Sequence, residues 1–218
     1  MNLAQTLLSV GLLAVVTGST SCSVAPPPNP DQKEILRAQW VNPNPPGSYA
    51  HFTAELSYPK TYSVFRDPSL LARTSKANSR IIIDLSLQRA IIFTNDEAAM
   101  DYPIASGKST FPTPPGKYQI LEKIKSEKYS NLYGTIYDAE GKIHMSNADA
   151  TKDEIPEGGN FKGASMPYWM RLSWSGIGMH QGRVPRYPAS HGCVRMPSKI
   201  ASTVFSKIEM GTPVSIKR

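Results

Sequence analysis

Ser190-His191-Gly192-Cys193-Val194-Arg195, with His180 upstream, is the stretch on which the reading of this chain turns. A thiol attacks a carbonyl as its thiolate, and an ordinary cysteine, with a pKa of about 8.5, is mostly protonated at neutral pH. Histidine is the usual base for that proton, and a neighbouring cation steadies the anion. The run therefore offers a nucleophile in Cys193, candidate bases in His180 and His191, and a cation in Arg195. If the run is extended, His191, Cys193 and Arg195 share one face, because strand side chains alternate. Gly192 has no Cβ, so a substrate or another strand can approach its backbone.

These residues resemble the signature of the YkuD-type L,D-transpeptidases. That pattern is a histidine, here in Ile177-Gly178-Met179-His180, then a loop, then Ser/Thr-His-Gly-Cys-hydrophobic-Asn/Arg. The loop from His180 to Ser190 is shorter than in many members. Upstream, the order of a strand pair, Ser106-Gly107 and the turn Thr113-Pro114-Pro115-Gly116 also resembles this domain. The resemblance spans residues 79–217. It implies a mainly β fold, a β-sandwich or barrel with a few short helices, and it implies no cofactor. It assigns Cys193 as the nucleophile and His180 as the proton donor and acceptor. The His180 ring would be oriented by the backbone carbonyl of Gln181.

The neighbouring residues carry open alternatives. His191 either supports the thiolate or hydrogen-bonds the loop. Ser190 orients the loop rather than reacting, and backbone N–H groups around Gly192 and Cys193 are the natural oxyanion donors. Arg195 either holds a substrate carboxylate in its forked donors or forms a structural salt bridge. Tyr168 and Trp169 either wall the acyl pocket or belong to the core. A zinc site of His180, His191, Cys193 and His144 fits no recognised ligand spacing, so no metal is expected. Papain-like and NlpC-like peptidases place cysteine before histidine, the reverse of the order here.

The N-terminus reads as an export signal. Leu7 to Val16 is an apolar run of signal-sequence length, too short for a stable transmembrane helix, although Met1 to Gln5 lacks a basic residue. Ser19-Thr20-Ser21-Cys22 resembles a bacterial lipobox, with Ser19 where leucine is usual. The expectation is a signal peptide over residues 1–21, lipid on Cys22 and a proline-rich tether over residues 22–47. Lipidation leaves Cys193 the lone thiol of a chain with two cysteines, in an oxidising compartment. Ordinary cleavage to a soluble secreted protein is the alternative.

The remaining composition suits one domain with extensions: 218 residues, 40% hydrophobic, 19% charged, with 19 prolines that predict linkers and turns. The net charge of +7 favours polyanions, among which the acidic cell wall and anionic lipid rank above nucleic acid, for which no motif is present. Residues 48–78 read as an N-terminal extension without chemistry. Strands are expected at Arg80–Leu85, Ala90–Phe93, Met100–Ala105, Lys117–Leu121, Gly176–His180 and Gly211–Ile216, and helices at Asp31–Gln39 and Ser198–Ile208. Lys125–Asn160 reads as a long turn-rich insertion, a candidate flap.

The expected function is attack on a peptidoglycan stem peptide in the cell envelope or periplasm, followed by transfer to an amine. An envelope protein and water are the alternative acceptors. A non-catalytic wall-binding lipoprotein is the competing class, and it has no need of Cys193 or His180.

Overall fold

The computed structural model describes residue 27, residues 29–185 and residues 187–218; the signal segment and Cys22 lie outside the described residues. The first of two compact units ends at Val41. It carries helix α1 (Pro30–Gln39), which starts in a capping box: the Asn29 side chain accepts from the Gln32 N–H, and the Gln32 side chain accepts from the Asn29 N–H.

The second unit, Asn42–Arg218, joins the 48–78 segment and the 79–217 region in one body. Helix α2 (Tyr49–Ala54) opens it, followed by the short strand β1 (Phe65–Arg66) and helix α3 (Pro68–Arg73). The Asp67 carboxylate caps α3 by accepting from the Ser69 and Leu70 N–H groups, and Pro68 supplies the fixed first-turn φ. An antiparallel meander follows: β2 (Ser79–Asp84), β3 (Arg89–Thr94) and β4 (Glu97–Pro103). Ile81, Ile83, Ile92 and Met100 are fully buried, so the β-branched runs supply one wall of the core. The third strand begins earlier than the apolar run suggested, because Glu97 pairs with Thr94 across a tight turn.

The strand expected at Lys117–Leu121 is β5 (Gly116–Gln119), which ends two residues early, and a separate strand, β6 (Glu122–Ile124), follows in a different sheet. The segment expected to be an irregular insertion is regular: β7 (Tyr129–Tyr137), β8 (Ile143–Asp149) and β9 (Asn160–Ser165) form an antiparallel sheet ordered β8-β7-β9. Its side chains are mostly exposed, which hides the alternation that marks a half-buried strand; Ile136 and Ala148 are its buried anchors.

The chain closes with β10 (Trp169–Arg171), β11 (Gly178–Gln181), β12 (Val194–Met196), α4 (Ser198–Lys207) and β13 (Pro213–Lys217). The larger sheet runs β1-β4-β3-β2-β13-β5, with β13 parallel to β2; the second runs β12-β11-β10-β6, with β11 and β12 parallel. Ile81, Ile83 and Val214 from the first sheet, Met170, Met179 and Val194 from the second, and Ile200 and Val204 from α4 share one hydrophobic core. The fold is mainly β with a few short helices, as expected.

The 48–66 segment is held by a buried ion pair. Arg89 Nε donates to Asp101 Oδ1 at 2.5 Å, and both side chains are fully inaccessible. The guanidinium also donates to the carbonyls of Pro59, Thr61 and Ser63, while Tyr49 and Tyr58 donate to Asp101 Oδ2. A segment without chemistry in the sequence is thus tied to the centre of the main sheet.

Candidate active site

β11 positions His180. Its ring is 7% exposed, and Nδ1 donates to the Gln181 carbonyl at 2.7 Å. A carbonyl only accepts, so Nδ1 carries the proton of the neutral ring and Nε2 is left as the base. Burial, with Arg195 adding to it, lowers the His180 pKa from 6.5 to about 4, against the opposing Gln181 hydrogen bond.

Cys193 is fixed by the strand beside it. β11 and β12 are in parallel register with His180 opposite Arg195 and Met179 opposite Val194. Cys193, one residue before β12, therefore falls beside Gly178, on the face shared by His180 and Arg195. A Cβ on Gly178 would lie 2.4 Å from Trp169 Cη2, so glycine there makes room for the indole over the strand. The thiol sits 3.5 Å from the Gly176 carbonyl. Burial pushes its pKa up, while the Gly178 N–H and the charges of Arg195, Lys128 and Arg171 pull it down. The resting pair is thus a thiol and a neutral imidazole.

The run before β12 is not extended. Gly192 has φ +105, a conformation that favours glycine, and residues 191–193 form a bend. His191 consequently leaves the face of Cys193 and Arg195 and stacks on Tyr133, ring centroids 3.5 Å apart at 16°, with Phe111 at 5.2 Å. Its burial and the charges of Lys108, Arg195 and Lys152 hold its pKa below the ordinary value. Ser190 is buried, its hydroxyl donates to the Cys193 carbonyl, and its backbone bonds to Ser106 and Lys108. Thr113, from the Thr-Pro-x-Gly turn, accepts from the Gly107 N–H and donates to the Gly192 carbonyl, both at 2.8 Å. The 107–113 loop is thereby locked to the turn that carries Cys193.

Arg195 is half-buried, and burial lowers its pKa. Among the described residues it has no carboxylate partner, so the structural salt bridge considered from sequence is not formed. Trp169 lines the cleft, 6.3 Å from the His180 ring, and donates Nε1–H to Glu122. Tyr168 does not wall the pocket: it lies in the turn before β10 with φ +55, and its ring packs edge-on against Phe205 of α4. His144 lies exposed on β8, and among the described residues no group of three or more His, Cys, Asp or Glu side chains is placed to hold a metal.

The cleft has a volume of about 610 Å³ and is lined by His180, Cys193 and Arg195 on one side and by the 129–165 sheet on the other. Lys128, Tyr133, Arg171 and Trp174 are lining residues that sequence reasoning missed. Thr113 had a signal, the turn motif; the others are brought in by tertiary folding and carried no local pattern.

The mainly β fold sets a half-buried thiol beside an imidazole, on parallel neighbouring strands that line one cleft. The L,D-transpeptidase catalytic domain model, YkuD, matches residues 78–216, and the chain belongs to that family. Similar solved structures include an L,D-transpeptidase from Mycobacterium smegmatis, 18% identical, TM-score 0.49, covering 65% of this chain and 59% of that one. Another, from Stackebrandtia nassauensis, is 16% identical, TM-score 0.47, covering 69% and 63%. A third, from Enterococcus faecium, is 26% identical, TM-score 0.45, covering 64% and 50%. This chain thus spans less than two thirds of their length. No curated protein sequence shows significant similarity to it.

Proposed function

We propose that the protein is a peptidoglycan L,D-transpeptidase of the bacterial cell envelope, exported and anchored through lipid on Cys22. The observation that supports it most is the register of β11 and β12, which sets Cys193 and Arg195 on the face of His180, with Nε2 of that ring free to take a proton.

In the first step His180 Nε2 accepts the thiol proton as Sγ bonds to the carbonyl carbon at the L-centre of the stem's diamino acid. The carbon–nitrogen bond to the terminal D-alanine breaks, and the imidazolium returns the proton to the departing amine. The backbone N–H groups of Gly192 and Cys193 stabilise the oxyanion. In the second step an amine of a second stem attacks the thioester, its proton passes to His180, and the carbon–sulfur bond breaks to restore the thiol. Arg195, lacking a protein counter-ion among the described residues, holds a substrate carboxylate. No cofactor takes part.

Intact-protein mass spectrometry tests this. Incubated with a disaccharide-tetrapeptide, the wild-type chain forms a thioester adduct and releases D-alanine, and Cys193→Ala does neither. A Cys193→Ala protein that still cross-links stems would sink the mechanism. Tripeptide without cross-links would make water the acceptor.

A further inference from the structure

Trp174 is 75% exposed, which is unusual for the largest apolar side chain, and it lines the cleft that contains Cys193. Its turn is not loose. Leu172 and Ser173 N–H groups both donate to the Ile177 carbonyl, the Gly176 N–H donates to the Ser173 carbonyl, and the Ser173 and Ser175 hydroxyls bond to each other at 2.8 Å. The next residue but one, Gly176, presents its carbonyl to the Cys193 thiol. The indole is therefore held at the mouth of the cleft, a short way from the nucleophile.

Arg171 steadies that ring. Its guanidinium lies 4.9 Å from the Trp174 centroid and 5.5 Å from that of Trp169. Glu122 fixes the guanidinium by accepting from Nε at 2.9 Å. Among the described residues the two terminal nitrogens of Arg171 make no hydrogen bond, and Arg171 lines the cleft, so it has donors to spare there. One face of the Trp174 indole is thus covered by a cation, and the other is open.

We infer that the open face of Trp174, backed by Arg171, is a stacking platform for a hexosamine ring of the glycan strand that carries the peptide stem. The inference rests on the reading of the cleft as a stem-peptide site. An aromatic face is electron-rich and takes the polarised C–H face of a pyranose. The rim suits the rest of a sugar: Arg171, Lys128 and Ser175 line the same cleft and offer polar groups for ring hydroxyls and an N-acetyl carbonyl. A purely apolar partner would bury those polar groups without hydrogen bonds, an unfavourable exchange. The platform gives the protein a means of preferring stems attached to glycan over free peptide.

Calorimetric titration of the full-length chain carrying Cys193→Ala, which cannot turn over, tests this with two ligands: a free tetrapeptide and the same tetrapeptide on its disaccharide. The disaccharide form is expected to bind about five- to tenfold tighter. Adding Trp174→Ala should abolish that increment, with the free tetrapeptide as the internal reference, and Trp174→Phe should restore part of it. Equal affinity for the two ligands while Trp174 is intact would overturn the platform. So would an increment that survives Trp174→Ala, or a Trp174→Ala protein that loses both ligands equally. The proposed reaction is read separately: an increment without D-alanine release by the wild-type chain upholds the platform and sinks the transpeptidase.

Discussion

His191 lies flat on Tyr133, ring centroids 3.5 Å apart and planes within 16°. The pair joins the turn that carries Cys193 to a sheet whose strands begin at residue 129. Lys108 and Lys152 each approach the face of Phe111, which completes the cluster. The 129–165 sheet is therefore held over the cleft by an aromatic contact with the turn that carries Cys193.

Tyr133→Ala removes that contact. An aromatic pair contributes about 0.5–1.5 kcal/mol beyond its area. Hydrogen exchange of the 129–165 sheet is expected to rise up to about tenfold, while exchange in the β2–β3–β4 meander stays the same. Unchanged exchange across the sheet would show that other contacts hold it.

The thiol–imidazole pair sets the pH response. The His180 pKa is lowered to about 4, so the ring is neutral and available as a base above that value and lost as pH falls through it. The Cys193 pKa is raised, so thiolate accumulates only at alkaline pH. Iodoacetamide should alkylate Cys193 at pH 7 more slowly than free cysteine, with a rate that climbs at a higher pH than free cysteine requires. The acid limb of kcat/KM should fall near pH 4 rather than near 6.5. An acid limb at 6.5 would show that burial does not depress the pKa of the base.

Thr113 bridges Gly107 and Gly192 through one buried hydroxyl. Thr113→Val keeps the shape and leaves a donor and an acceptor unsatisfied, a loss of about 1–3 kcal/mol for each. The melting temperature should drop, and D-alanine release should slow at least about tenfold because a displaced nucleophile turn no longer holds the attacking geometry. Thr113→Ser, which restores the hydroxyl, should recover most of both. Full rate in Thr113→Val would show that the nucleophile turn is held without the bridge.

Arg89 and Asp101 form a fully buried pair, and breaking one side leaves the other charge unpaired. Arg89→Met alone should destabilise the domain by about 3–5 kcal/mol. Replacing both partners, Arg89→Met with Asp101→Leu, should be less damaging than either single change. Denaturant titration of the four proteins measures this, and additive losses would show that the two charges do not depend on each other.

Much of the fold lies open in the local sequence. The β-branched runs at Ile81–Ile83 and Ala90–Phe93, and the apolar spacing of the final helix, mark buried elements because burial imposes a period on the chain. The insertion escaped that logic. Its strands are exposed on most positions, so hydrogen bonding between strands, rather than a pattern of apolar residues, makes them a sheet. The bend at Gly192 was equally hidden, because a glycine is compatible with an extended strand and a positive φ alike.

The sequence by itself determined which residue types stand ready for chemistry: a thiol, an imidazole and a guanidinium at spacings that suit two neighbouring strands. Only the tertiary structure decided their company. The parallel register of β11 with β12 set His180 on the face of Cys193, and the bend at Gly192 sent His191 to Tyr133 instead. Folding also brought Glu122 to Arg171 and left Arg195 without a carboxylate among the described residues. Such contacts join residues far apart in the chain, and their energies depend on burial and geometry that no local pattern encodes.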